Sequence, residues 1–176
     1  MMQKTRSPFL VIKKSKLHGK GAFATKNIPK KTKVIEYVGE KIKRKEGDRR
    51  EKLQELKAKN KKNAGVVYIF ELNNNYDIDG SVVWNTAKYI NHSCNPNCET
   101  DIIKNHIWII AIKNIKKGKE LTYDYGYDID DFEKHPCKCK SKNCVGFILD
   151  KKYWKRIKKP VRKKLDQNAK IDKLRI

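Results

Sequence analysis

A mainly β fold is predicted by three observations. Short runs rich in Ile, Val and aromatic residues recur between turn-forming clusters. Only one long stretch, 42–62, carries helical character. Three of the five cysteines crowd into residues 137–144, which suggests metal ligation on a loop segment rather than a disulfide framework. At 176 residues the chain can bury one sizeable core, so one domain with a tail is expected.

The elements are expected in this order. Phe9-Leu10-Val11-Ile12 is a short apolar strand. In Ser15 to Ala24, Gly19 and Gly21 flank Lys20, a pair that lets backbone turn tightly or approach a ligand. No third glycine opens a helix, so the dinucleotide fingerprint is missing. Asn27 to Lys31 reads as a turn and Lys33 to Val38 as the next strand. In 42–62, basic and acidic residues alternate around Leu53 and Leu56, predicting a surface helix with a solvated charged face and a weak point at Gly47. Val66 to Leu72 and Tyr76 to Ile78 are strands joined by the Asn73-Asn74-Asn75 turn. Residues 107–112 are apolar throughout, as in a strand buried on both faces. Lys116 to Lys119 is a turn, and Glu120 to Tyr125 another strand. Residues 128–136 are acidic and irregular, but Ile129 stands where a calcium loop needs glycine, which excludes that reading. From Lys151 onward twelve basic residues face only Asp166 and Asp172, and Ile157, Val161 and Leu165 allow an amphipathic helix interrupted near Pro160.

Charge narrows the class. Lys and Arg number 43 against 20 acidic residues, a net +23 that favours anionic partners. No run approaches the ~20 apolar residues that span a bilayer, and the first residues lack the apolar core of a secretory signal. The expectation is a soluble intracellular protein in a reducing compartment, most simply a monomer, with no membrane partner.

Cys137, Cys139 and Cys144 form C-x-C-x4-C. Structural zinc takes four N or S ligands in a tetrahedron, and close cysteines on one loop supply three with little ordering cost. Cys94, Cys98 or His135 can provide the fourth. The stretch Tyr89 to Cys98 is a dense polar cluster between hydrophobic runs. Asn91, Ser93 and Asn95 compete for backbone hydrogen bonds and Pro96 removes a donor, so it reads as a structured loop carrying chemistry. A Cys–His nucleophile at Cys94 and His92 is rejected, because residues so close in a tight loop rarely align for proton transfer and no orienting acid is evident.

Taken together, Gly19-Lys20-Gly21, Asn91-His92-Ser93-Cys94-Asn95-Pro96-Asn97, Glu120-Leu121-Thr122-Tyr123-Asp124-Tyr125 and the cysteine triplet resemble the SET-domain family of protein lysine methyltransferases with a post-SET zinc segment. Pro96 to Thr100 and Cys144 to Phe147 are similar to its histone lysine methyltransferase branches. The resemblance covers about residues 8–149. The cysteine-rich module that precedes the domain in some branches has no counterpart, since no cysteine comes before Cys94.

The resemblance implies a SET domain over 8–127 with a helical insert at 42–62, a zinc-binding segment over 128–149 and a basic tail over 150–176. It also implies several small sheets with a knot-like C-terminal threading, an exception to ordinary topology. S-adenosyl-L-methionine is the implied cosubstrate. His18, Gly19 and Lys20 match the turn that contacts it, with Lys20 where many members carry Arg and a planar fork of donors is lost. Tyr68 matches a tyrosine near the cofactor and the lysine channel, Asn91 and His92 the pair that holds the cofactor, and Lys138 a position whose backbone borders the adenine. Cys94, Cys137, Cys139 and Cys144 match the zinc set, which leaves Cys98 a free thiol. Tyr125 matches the tyrosine beside the transferring methyl, and Tyr123 the position that controls how many methyls are added. A mono- to dimethylating enzyme acting on a histone tail or another basic protein follows, nuclear if it works on eukaryotic chromatin. The rival reading is a zinc-stabilised nucleic-acid- or chromatin-binding module without catalysis, supported by the net charge and the basic tail. Such a tail also allows a methyltransferase to contact nucleic acid.

Overall fold

The computed structural model describes residues 5–59, 67–130 and 132–157. Among the described residues it is mainly β, built of small two- and three-stranded sheets with one α-helix and no closed barrel. The chain forms two compact units. The first comprises the described residues through Asn91 together with Asn97–Thr122; the second comprises His92–Pro96 and the described residues from Tyr123.

In the first unit, β1 (Leu10–Lys14) pairs with β2 (Lys20–Ala24) as a hairpin. Gly19 makes the turn possible: its φ is +45°, and open space surrounds it. Only half of the expected Gly-x-Gly turn is therefore turn, because Lys20 already starts a strand. β3 (Lys33–Tyr37), β8 (Cys98–Ile103) and β9 (His106–Ala111) form a sheet in the order β3-β9-β8. β9 is central but not buried on both faces as its sequence predicts. Ile107, Ile109 and Ala111 are at most 1% exposed, whereas Trp108 and Ile110 between them are half-buried. The alternation is that of a sheet with one packed face, and apolar residues on the second face mask it in the sequence.

A third sheet, β4-β6-β5, is made of β4 (Glu40–Lys43), β5 (Ile69–Asn73) and β6 (Tyr76–Asp79). Asn73 closes the β5–β6 turn, its side chain accepting from the Asn75 and Tyr76 amides. The helix α1 runs Arg44–Lys59 and starts later than the expected residue 42 because β4 occupies its predicted start; the expected end at 60–62 lies outside the described residues. Its leucines do not hold it down: Leu53 is 39% and Leu56 56% exposed. The expectation of a solvated charged face is corrected too. Arg44 reaches Asp77 at 3.0 Å and Arg50 reaches Asp79 at 2.8 Å, both carboxylates lying on β6 and nearly buried. At Gly47 a Cβ would overlap the Asp77 carboxylate, so the predicted weak point is the place where the helix comes closest to the sheet.

Two two-residue strands, β7 (Asn91–His92) and β10 (Thr122–Tyr123), lie where the chain passes between units. The long strand expected over 120–125 is reduced to β10, preceded by a bridge from Glu120 to Phe23. Among its described residues the second unit has almost no regular structure beyond short 3-10 turns at Phe132–Lys134 and Lys151–Arg156. The latter is capped by Asp150, whose carboxylate accepts from the Lys152 amide at 2.9 Å. The helix expected through Val161 and Leu165 lies outside the described residues.

Candidate functional site

In the first unit, the turn before β2 brings His18, Gly19 and Lys20 to the surface, all three exposed. Asn91 lies over it. Its Nδ2 donates to the His18 and Lys20 carbonyls at 3.3 and 3.0 Å and to Glu120 Oε1 at 2.8 Å. Three acceptors around one amide nitrogen fix the orientation of the group. Oδ1 then faces the other way and makes no hydrogen bond among the described residues. A free carbonyl-type oxygen beside an exposed turn fits an ammonium or amine donor, such as the amino-acid end of S-adenosyl-L-methionine. Tyr68 precedes β5 rather than lying within a strand. Its backbone is tied on both sides, the amide donating to Gln54 at 2.8 Å and the carbonyl accepting from the Tyr37 hydroxyl at 2.9 Å. Burial raises the pKa of its phenol, so it stays a neutral donor. Lys88 stands 5.7 Å from the Tyr68 ring and 5.6 Å from the Tyr89 ring.

In the second unit, the sulfurs of Cys94, Cys137, Cys139 and Cys144 all lie within 4.8 Å of one another. Cys94 Sγ is 3.7 Å from both Cys137 Sγ and Cys144 Sγ. A tetrahedron with ~2.3 Å metal–sulfur bonds has edges of about 3.8 Å, so the spacing is consistent with a structural zinc site. The geometry thereby chooses among the candidates for the fourth donor, since neither Cys98 nor His135 belongs to the cluster. Around it, backbone amides of Cys94 and Cys139 and the Ser141 hydroxyl point at sulfurs, and Asn143 donates to the Cys94 carbonyl at 3.1 Å. Such partners favour thiolates and orient them. The Cys137 thiol hydrogen-bonds the Cys144 sulfur, which pulls Cys144 far below the ordinary thiol range and pushes Cys137 far above it. Four sulfurs this close repel one another once ionised, so the set suits a divalent cation as counter-charge. Lys138, between two of these cysteines, is exposed.

His92 is buried and lies between this cluster and the tyrosines. Its Nδ1 accepts from the Tyr125 amide at 3.2 Å, so the ring proton belongs on Nε2, which faces Cys94 Sγ at 3.5 Å. Burial depresses its pKa to about 4, leaving the ring neutral. Both ring nitrogens are thus engaged within the protein, and what His92 can offer a ligand is backbone. Tyr123 and Tyr125 have ring centroids 4.9 Å apart; Tyr127 follows at 6.0 Å from Tyr125. The three rings thus contact one another in succession along the segment. Tyr123 is buried and Tyr125 half-buried, so the pair makes an aromatic lining with one accessible member.

Reading by residue type singles out neither Glu120 nor Ser15, although both belong to the turn's hydrogen-bond system, with Ser15 Oγ donating to Glu120 Oε1 at 2.7 Å. The signal for Glu120 lay within a recognised motif, but a carboxylate there looks like an ordinary surface residue of a strand.

Comparison with known proteins agrees with these features. The family described as SET domain matches residues 19–126. Human histone-lysine N-methyltransferase 2D is 42% identical over 136 residues, covering 74% of this chain and 2% of that protein. Histone-lysine N-methyltransferase trithorax of Drosophila melanogaster is 35% identical over 152 residues, 84% of this chain and 4% of the relative. A histone-lysine N-methyltransferase, H3 lysine-4 specific, from Aspergillus fumigatus is 39% identical over 141 residues, 77% and 11% respectively. The chain therefore spans a small fraction of the relatives it matches, and the family match over residues 19–126 takes in Gly19, the Asn91–Cys94 loop, Tyr123 and Tyr125. It belongs to the SET-domain family.

Proposed function

We propose that this chain is a protein-lysine N-methyltransferase that uses S-adenosyl-L-methionine and acts on a histone tail or another basic protein. The observation that carries the reading is the Tyr123–Tyr125 pair, packed at 4.9 Å and tied through the Tyr125 amide to buried His92, in a chain of the SET-domain family. The names of the relatives support the substrate class.

The cosubstrate supplies an electrophilic methyl on a sulfonium. The exposed His18-Gly19-Lys20 turn, Asn91 through Oδ1, the backbone of His92 and of Lys138, and Tyr68 are the residues assigned to holding it. The lysine nitrogen attacks only when neutral, yet its ordinary pKa is ~10.4. An apolar aromatic lining disfavours the ammonium by desolvation, and Tyr123 and Tyr125 supply such a lining. Their faces tolerate a partially positive methyl and their hydroxyls orient the amine, so the rate gain comes mainly from alignment. A hydroxyl at Tyr123 leaves little room for a methylated nitrogen to turn, which makes the enzyme mono- to dimethylating. The Cys94, Cys137, Cys139 and Cys144 set holds a structural zinc.

Transfer of labelled methyl from S-adenosyl-L-methionine to a panel of histones and basic proteins tests the reading. Label on a lysine, lost in Tyr125→Phe, is expected. No label from a folded, zinc-loaded protein overturns it in favour of the second reading, a zinc-stabilised nucleic-acid-binding module, which the net charge of +23 supports.

A further inference from the structure

Glu120 is among neither the residues assigned to the cosubstrate nor the clustered cysteines, yet it sits where several parts of the His18-Gly19-Lys20 turn converge. Its backbone is bridged to Phe23 on β2, with hydrogen bonds on either side from Leu121 to Ala22 and from Ala24 to Lys119. Residues two apart on a strand share a face, so a side chain opposite Phe23 reaches diagonally over residue 21. Residue 21 is glycine, and a Cβ there would overlap Glu120 Oε1. The second glycine of the Gly-x-Gly motif thus admits a carboxylate of the protein itself, not a ligand.

From that position a single oxygen, Oε1, accepts from Ser15 Oγ at 2.7 Å and from Asn91 Nδ2 at 2.8 Å. Ser15 in turn accepts from the amides of Leu17 at 2.9 Å and His18 at 3.4 Å, closing the front of the turn. Asn91 donates to the carbonyls of His18 and Lys20, closing its back. Glu120 is the common point of both arms. Its charge also makes it the strongest acceptor available to Asn91. An unconstrained asparagine amide can present either end, whereas this one is held with its nitrogen inward.

We infer that Glu120 is a positioning residue: by holding Asn91 Nδ2 and Ser15, it sets the cofactor turn and points Asn91 Oδ1 at the cosubstrate's amine. The inference rests on the methyltransferase reading above. It assigns Glu120 no contact with the cosubstrate and no proton transfer.

The test is calorimetric binding of two ligands to the full chain: S-adenosylhomocysteine, which carries the amino-acid amine, and 5′-methylthioadenosine, which lacks it. In wild type the first binds more tightly. Glu120→Ala is expected to weaken S-adenosylhomocysteine about tenfold while changing 5′-methylthioadenosine by less than about threefold, the loss of one charge-assisted hydrogen-bond partner. Glu120→Gln keeps an oxygen acceptor and is expected to restore most of the preference; Ser15→Ala cuts one arm and falls between. In turnover, Glu120→Ala raises the KM for S-adenosyl-L-methionine with kcat little changed. Equal weakening of both ligands, or no weakening, overturns the inference while leaving the methyltransferase reading intact. Failure of wild type to bind S-adenosylhomocysteine overturns that reading first and this one with it.

Discussion

Cys94 and Cys98 are four residues apart, both fully buried, and have opposite fates. Cys94 lies among three other sulfurs, whereas Cys98 begins β8 in the first unit, where burial pushes its thiol up to about 12. Cys98 therefore behaves as a small apolar side chain. Cys98→Ala is expected to leave zinc content at one per chain and to lower stability by about 1 kcal/mol. Cys94→Ala removes a ligand, and zinc measured by chelator titration falls well below one per chain. The same scale holds the product-number prediction. Tyr123→Phe removes a hydroxyl from a buried ring without removing its bulk, so mass spectrometry of a methylated peptide is expected to show a shift toward di- and trimethyl product. An unchanged distribution removes Tyr123 from that role. Which cysteines matter was only partly legible in the chain. C-x-C-x4-C announces three donors, but spacing alone left Cys94, Cys98 and His135 equal for the fourth, because the choice depends on which loop the fold delivers.

At the scale of elements, α1 shows how charge can do what an apolar stripe usually does. Arg50 donates to Glu40 at 2.7 Å, Glu46 at 2.8 Å and Asp79 at 2.8 Å, joining β4, the helix and β6. Asp79 is 4% exposed, so losing its partner strands a nearly buried carboxylate. Arg50→Ala is expected to cost about 2–3 kcal/mol, read from urea unfolding, and clearly more than Arg49→Ala, whose partner among the described residues is half-exposed Glu46. Glu46 also sets a pH dependence. Hydrogen bonds from Arg49 and Arg50 hold its carboxyl at about 2, below the ordinary 4.5. A depressed carboxylate stabilises the fold fully above its unfolded value, so this contribution is lost as pH falls from about 4.5 through about 2. Glu46→Gln should show a smaller acid-induced loss of helical circular dichroism over that window. The sequence marked the helix through its alternating charges, but it concealed β4, whose Glu-Lys-Ile-Lys reads as the start of the same charged run. It concealed β2 as well, since Lys-Gly-Ala-Phe-Ala has poor strand propensity and is a strand only because β1 and residues 118–121 pair with it.

Over the whole molecule, each unit is assembled from segments separated in the chain. No single cut yields either one complete: a fragment ending at residue 91 lacks β8 and β9, and β9 is the middle strand of its sheet. Among its described residues the second unit has little regular structure and few buried apolar side chains, Phe147 and Leu149 among them, which suits stapling by a metal at the four cysteines. Structural zinc in small sites is worth roughly 10–16 kcal/mol of folding free energy at neutral pH. Stripping it with a strong chelator is expected to abolish the near-ultraviolet dichroism of the tyrosines at 123–127 and, with it, methyl transfer, and both should return on adding zinc. Transfer that survives metal removal contradicts the dependence of Tyr125 on the cluster through His92.

The distance between Cys94 and its partners along the chain has a further effect during synthesis. Cys94 and Cys137 are 43 residues apart, and Cys144 comes later still. At about 5–20 residues per second, Cys94 leaves the ribosome seconds before the triplet it must join. A nascent chain can complete the hairpin of β1 and β2 early, yet it holds an unpaired thiol in a loop that no metal can close. If the four cysteines take up zinc, the zinc and oxidant levels met in the interval between synthesis of Cys94 and of Cys144 are therefore expected to affect the yield of folded chains.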